Sequence, residues 1–219
     1  MAVQISTTKG AHANGVKMLV YGRSGSGKTT LAKTLPDPII ISAEAGILSL
    51  SDVDIPVITV NDIDGIREAF AYVRDASHKS IVLDSISEIA EVVLAAEKKT
   101  AKDPRQAYGA MQESITALVR SFRDIPGKHV VVIAKQEKIQ DDTGHLIYGP
   151  SMPGKQLGPA LPYFFDEVFC LRTKREDDGS IKRALQTGAD DQYDAKDRSG
   201  KLDFYEVADL GAIIRKVEK

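Results

Sequence analysis

Tryptophan is absent from this chain of 219 residues, cysteine occurs once, and phenylalanine and tyrosine together make up only 6%. A single thiol, Cys170, can neither close an intramolecular disulfide nor build a cysteine zinc cage, so a disulfide scaffold and a zinc ribbon are excluded and a reducing cytosol fits best. No stretch reaches the roughly 18 apolar residues that a membrane span needs, and the opening MAVQISTTKGAHANG has no apolar core of a secretory leader. A cytoplasmic protein without a membrane partner is expected. Excess charge of one sign is also missing: 29 Lys and Arg stand against 31 Asp and Glu, a net charge of −2. Any contact with nucleic acid would therefore rest on local basic patches rather than on bulk charge. What is present is ordinary, with 42% hydrophobic and 27% charged residues. That composition suits one folded globular domain and excludes a disordered tail, a collagen-like repeat or a coiled-coil rod.

Short β-branched runs alternate with longer segments of helical spacing, the pattern of an α/β domain with a mainly parallel sheet flanked by helices. The expected strands are residues 16–21, 38–42, 80–84 and 129–135. Helices are expected over 28–35, 62–76, 85–99 and 107–124, with a last amphipathic helix over 207–217. Residues 167–173 and 181–186 read as an antiparallel C-terminal extension around an Asp-Asp-Gly turn at 177–179. Residues 136–158 are polar and carry several Gly and Pro, which predicts a long mobile loop. Residues 1–15 form an N-terminal arm. With no repeat and no linker, one domain spans 1–219.

Between the first strand and the first helix stands GRSGSGKTT, a G-x-x-x-x-G-K-T motif with Gly22, Gly27, Lys28 and Thr29 in the defining places. Glycines let successive backbone N–H groups converge on phosphate oxygens, a helix start adds partial positive charge, and the lysine neutralises the outer phosphates. The candidate nucleotide contacts are Gly22, Arg23, Ser24, Gly25, Ser26, Gly27, Lys28, Thr29 and Thr30. ATP and Mg²⁺ are the expected cofactors. Thr29 is a candidate Mg²⁺ ligand, and so is Asp84, which ends the apolar run SIVLD. Ser85 to Glu88 also reads as a capping box, a purely local use of the same stretch. Glu44, at the end of the second strand, is the candidate that polarises an attacking water. Glu88 is the competing base.

The order of a phosphate loop, a strand ending in Ala-Glu and a strand ending in Asp-Ser resembles the RecA-type ATPases. HVVVIAKQ places Gln136 where that family carries a glutamine sensing the γ-phosphate. AKDRSGK places Lys196 and Arg198 in a K-x-R-x-G pattern similar to the element by which RadA and KaiC proteins reach the ATP of a neighbouring subunit. The resemblance runs over residues 16–200 and points to small phage-type RecA-core ATPases of single-strand annealing and recombination. It implies a RecA-like P-loop fold, a slow and DNA-stimulated Mg-dependent ATPase, a ring or filament of identical subunits, single-stranded DNA as partner and a single-strand-binding protein as a further one. A host cytoplasm would follow if the chain is phage-encoded. No helix-hairpin domain, polymerisation peptide or C-terminal domain is evident in the sequence. A small-molecule P-loop kinase and a regulatory ATP-binding oligomer without DNA activity are the alternatives.

Two segments offer the cations and rings that single-stranded DNA would use. The first carries Lys98, Lys99, Lys102, Arg105 and Tyr108, and the second, within 136–158, carries Lys138 and Lys155. Both stand where RecA-type proteins have their DNA loops, while a charged helix end and a solvated loop explain them equally well. His12, His78, His129 and His145 are too scattered to suggest a metal site, and Cys170 reads as core.

Overall fold

The computed structural model describes residues 14–44, 46–140 and 144–219, so most of the N-terminal arm, including His12, lies outside the described residues. One sheet organises the rest. Its strands are β1 (Lys17–Gly22), β2 (Pro38–Ser42), β3 (Val57–Thr59), β4 (Ser80–Asp84), β5 (His129–Gln140), β6 (Leu146–Ser151), β7 (Glu167–Arg175), β8 (Ile181–Gln186), β9 (Lys196–Asp197) and β10 (Tyr205–Val207). They lie in the order β10-β8-β7-β1-β5-β4-β2-β3, with β6 paired to β5 and β9 to β7. From β7 to β3 the neighbours in this order are parallel. Strands β6, β8, β9 and β10 join antiparallel.

Strands β1 and β4 are buried at every residue and read as unbroken apolar runs, because a parallel sheet is covered on both faces. One face carries the helices α1 (Ile63–Asp75), α2 (Ile86–Thr100) and α3 (Pro104–Arg123). On α3 the residues Met111, Ile115, Val119 and Phe122 recur at helical spacing and pack with Leu19, Tyr21 and Val132. Asp103 caps that helix by accepting from Arg105 N at 2.8 Å, and Pro104 opens it where no N–H is needed. The other face is covered by a 3-10 turn over Thr29–Thr34 and by α5 (Leu210–Val217), whose Ile213 and Ile214 meet Met18, Val20 and Leu31. A short helix α4 (Leu157–Ala160) precedes β7.

Several elements differ from the sequence reading. Residues 136–158 are not a loop: β5 runs on to Gln140 and folds back through β6, pairing Gln136 with Pro150 and Gln140 with Leu146. Gln136, Glu137 and Lys138 on one strand face Pro150, Gly149 and Tyr148 on the other, so the stretch lacks the alternation that marks a strand. The segment after Lys28 is a 3-10 turn instead of an α-helix. There the hydroxyls of Thr30 and Thr34 donate to the carbonyls three residues back, at 2.6 and 2.7 Å. Val207 belongs to β10, opposite Ala184, and the last helix begins after its cap Asp209. Helix α3 starts at Pro104, three residues before the expected start. Cys170 is core, as expected.

At the start of β7, Glu167 is 1% exposed and lies opposite Asp197 of β9. Ser199 N donates to its Oε1 at 3.2 Å, while Oε2 has no partner among the described residues. Burial, reinforced by Asp197, pushes its carboxyl up to about 8. Lys17, next to the Met18 that pairs with Glu167, is pushed down to about 8 by burial, with Nζ donating to the carbonyls of Ile125 and Lys128. A carboxyl whose folded pKa is raised takes up a proton on folding, so stability is highest below 4.5 and falls as the pH rises to about 8. Lys17 acts above that window, where its depressed pKa makes stability rise again from about 8 to 10.5. The Glu167→Gln protein should lose the decline between pH 5 and 8, measured as urea midpoints across pH. A slope equal to that of the wild type would show that Glu167 is ionised in the fold.

Candidate nucleotide-phosphate site

The parallel register ends β1, β2 and β4 at one edge of the sheet, and the predicted phosphate chemistry gathers there. Ser42 pairs with Asp84, and Gly22 lies opposite Lys135 on the strand between β1 and β4. The chain leaves β1 at Gly22 and winds through a tight loop into the 3-10 turn. Gly25 and Gly27 have φ of +73° and +97°, a region that only glycine enters without strain. Among the described residues nothing lies within 4 Å of where a Cβ on Gly25 would stand, so the loop has open space at that point. Ser26 is buried, and its hydroxyl has no partner among the described residues.

Lys28 Nζ donates to the carbonyls of Gly22 at 2.8 Å and Arg23 at 3.0 Å, which folds the ammonium over its own loop. Burial lowers its pKa, while Asp84 and Glu44 act in the opposite direction. Thr29 Oγ1 donates to Asp84 Oδ2 at 2.6 Å. The Asp84 carboxyl is raised, mainly by burial and further by Glu44, with the Thr29 hydrogen bond and Lys28 opposing. The Asp84–Ser85 peptide is cis. An open glycine cradle, an orphaned serine hydroxyl, a poised lysine and a hydroxyl–carboxylate pair fit a polyphosphate with a hard divalent cation. Thr29 and Asp84 would hold that cation.

Glu44 stands beside this group. Ser85 Oγ donates to Glu44 Oε1 at 2.6 Å, and Ser42 Oγ donates to the Glu44 carbonyl at 2.7 Å. The capping box is thus only half formed: Ser85 Oγ accepts from Glu88 N at 3.3 Å, but the Glu88 carboxylate pairs with Lys135. Glu88 is engaged elsewhere. Gln136 turns to the other face of the sheet, where its Oε1 is 3.9 Å from Cys170 Sγ.

Lys196 and Arg198 are not brought to this phosphate loop. Both sit where the parallel strands begin, with Lys196 Nζ donating to the Pro162 carbonyl at 2.7 Å and Arg198 paired to Asp166 at 2.9 Å. The two basic segments do come together. Lys98 Nζ stands 5.4 Å over the Tyr108 ring, and a Cβ on Gly154, next to Lys155, would be 3.3 Å from that ring. Lys99 closes α2, Lys102 follows it, and Arg105 lies in the first turn of α3. Lys138 lies apart from them over Tyr148, at 5.6 Å, and Tyr148 stacks on Tyr193 at 4.9 Å. Among the described residues no group of His, Cys, Asp and Glu forms a metal cluster, and no helix is long and apolar enough to cross a membrane.

One site residue escaped the sequence reading. Arg183 of β8 donates from Nε to the Ser26 carbonyl at 2.9 Å. It is 157 residues from the loop it touches, and its only sequence signal is strand parity, which puts it on the face of buried Leu185.

Comparison with known proteins places this geometry in a family. No curated protein matches. Among solved structures, the chain is similar to a KaiC-like protein from the archaeon Pyrococcus horikoshii, at 15% identity over 78% of this chain and 77% of that one, with a TM-score of 0.41. It is also similar to the RadB recombinase, at 15% identity over 80% and 89% of the two chains, with a TM-score of 0.44. A family model described as an AAA domain matches residues 14–199, the span that holds the glycine loop, Glu44, Asp84 and Arg183, and the chain belongs to that AAA-domain family.

Proposed function

We propose that the chain is a RecA-like ATPase that binds ATP with Mg²⁺, hydrolyses it slowly and acts on single-stranded DNA in recombination or strand annealing as an oligomer of identical subunits. The observation that carries the ATPase reading is the hydrogen bond from Thr29 to Asp84 beside an open glycine loop, with Glu44 held next to it by Ser85. The divalent cation supplies neutralising charge to the phosphates. Lys28 swings from the Gly22 and Arg23 carbonyls to the outer phosphate oxygens. Glu44, with Oε1 fixed by Ser85, takes the proton of the water that attacks the γ-phosphorus, and the bridging oxygen leaves with ADP. Gln136 lies within β5 and faces Cys170 on the other side of the sheet, so sensing the same phosphate would require its amide to leave that contact.

ATP turnover and binding test this reading. Lys28→Ala should lose tight ATP binding, because it removes the charge that offsets the outer phosphates. Glu44→Gln should keep ATP binding while turnover falls by about 10-fold or more, since an amide cannot take the proton. A loss in Glu88→Gln instead of Glu44→Gln would move the base to Glu88.

Support for the DNA reading is the meeting of Lys98, Tyr108 and the segment of Lys155, which puts cations and a ring on one surface. Neutralising Lys98, Lys99, Lys102 and Arg105 together should weaken binding of an oligothymidylate and flatten its salt dependence by about 0.7 in log–log slope for each DNA phosphate no longer held. An unchanged slope would leave these residues as a solvated face, and turnover that ignores DNA would favour a regulatory ATP-binding oligomer.

Assembly is tested through Arg198, whose place at the opposite end of the sheet suits a reach to a neighbour's ATP rather than to its own. Arg198→Ala should bind ATP normally and hydrolyse it poorly, an arginine of this kind contributing up to about 10³-fold or more in rate. Mixing it with Lys28→Ala subunits should restore part of the turnover. No recovery in verified mixed oligomers would reject the role in trans.

A further inference from the structure

The phosphate loop is touched from outside by the antiparallel extension. Arg183 Nε donates to the Ser26 carbonyl at 2.9 Å, and a Cβ on Gly27 would lie 2.8 Å from that Nε and 3.4 Å from Arg183 Cδ. The side chain therefore lies against the crest of the loop, with its planar guanidinium edge turned to one carbonyl. That carbonyl belongs to the residue whose hydroxyl is buried without a partner among the described residues. A glycine-rich loop works as an anion cradle only while its N–H groups face inward and its carbonyls face outward. Without an anchor, the glycines at 25 and 27 leave both orientations open to the chain.

We propose that Arg183 is a positioning residue for the phosphate loop: by holding the Ser26 carbonyl outward it keeps the Gly27 N–H, on the opposite side of the same planar peptide unit, aimed at the nucleotide before the nucleotide arrives. The inference rests on the reading that this loop binds ATP. Arg183 suits the task because a charged donor makes a stronger hydrogen bond to a carbonyl than a neutral one. Its strand is tied to the sheet through β7, with Thr173 opposite Arg183 and Leu171 opposite Leu185. Leu171 in turn packs at Gly22, where a Cβ would stand 3.0 Å from its carbonyl oxygen. Both ends of the loop are thus braced by one hairpin. Because the Ser26 contact is the same before and during phosphate transfer, it acts on affinity and leaves the rate of the bound complex alone.

The test compares Arg183→Ala, Arg183→Lys and Lys182→Ala in the full chain, by calorimetric titration with ATP and with ADP in Mg²⁺, by turnover at saturation, and by amide exchange of the ligand-free protein. Lys182 is exposed and pairs only loosely with Glu176, at 3.8 Å, so it controls for the removal of a positive charge. Arg183→Ala should weaken both nucleotides by about 10-fold, equivalent to about 1.4 kcal/mol. Saturated turnover should stay unchanged, and exchange at residues 24–28 should quicken. Arg183→Lys should recover part of the affinity and the protection, and Lys182→Ala should match the wild type. Unchanged affinity in Arg183→Ala, a fall in turnover without a fall in affinity, or an equal loss in Lys182→Ala would each overturn the proposal. Should Arg183→Ala not fold, Arg183→Lys decides alone, since wild-type affinity with unprotected loop amides would overturn it and retained protection would support it. If the wild type binds no ATP while its loop amides are protected, the nucleotide reading itself fails. If Lys28→Ala loses ATP and Arg183→Ala does not, only the role of Arg183 fails.

Discussion

Everything at the candidate site depends on the parallel register of β1, β5, β4 and β2. With Lys17 opposite Val130, Val130 opposite Ile81 and Ile81 opposite Ile39, the strands that end in Gly22, Asp84 and Ser42 finish at one edge of the sheet. A slip of one residue in β4 would turn Asp84 to the other face and separate it from Thr29. That register is secured by burial. Ile81, Val82 and Leu83 point alternately to two separate cores, one under α1 to α3 and one under α5, so no slipped pairing keeps both faces apolar. The polar contact of 2.6 Å between Thr29 and Asp84 is thus a product of hydrophobic packing several residues away.

Charge at the site is balanced rather than neutralised. Lys28 is disfavoured by its own burial and favoured by Asp84 and Glu44, while Asp84 is disfavoured by burial and by Glu44 and favoured by Thr29 and Lys28. Burial leaves Lys28 and Asp84 each short of its usual solvation, and incoming phosphate with a cation would relieve both. The ammonium in the meantime borrows two loop carbonyls as temporary partners. Those bonds are weaker than bonds to an anion, so exchanging them favours the ligand.

The parts of the site legible in sequence are those that local chemistry specifies. β2 and β4 have the bounds that their apolar runs predict, and the glycine loop, Asp84 and Glu44 stand at strand ends where short motifs place them. Contacts between distant segments were not legible. The hairpin of β5 and β6 mixes charged residues with Gly149 and Pro150, and its pairing replaces what hydropathy reads as a loop. Glu88 looks committed to a capping box, yet Lys135, brought beside it by the neighbouring strand, offers a full charge where the box offers one backbone N–H. Lys196 and Arg198 read as a nucleotide-directed pair only through the resemblance to RadA and KaiC proteins, and a short pattern says nothing about which end of the sheet it occupies.

The antiparallel extension shows why such contacts matter. Strands β7 and β8 give Val168 and Cys170 to one core and Phe169, Leu171 and Leu185 to the other, and they also supply Leu171 against Gly22 and Arg183 against Ser26. A parallel sheet alone presents its loop from one side only, since the strand beyond β1 would otherwise end level with it. Continuing β7 to Arg175 and returning through β8 raises a wall beside the loop, and only an antiparallel return places a second row of side chains at that height. Arg172 on the opposite face of the same hairpin lies 3.6 Å from the Tyr193 ring centroid, and Tyr193 stacks on Tyr148 of the β5 and β6 ribbon. One hairpin is therefore packed on one face against the phosphate loop, through Arg183, and on the other against the ribbon that carries Lys138, through Arg172 and Tyr193.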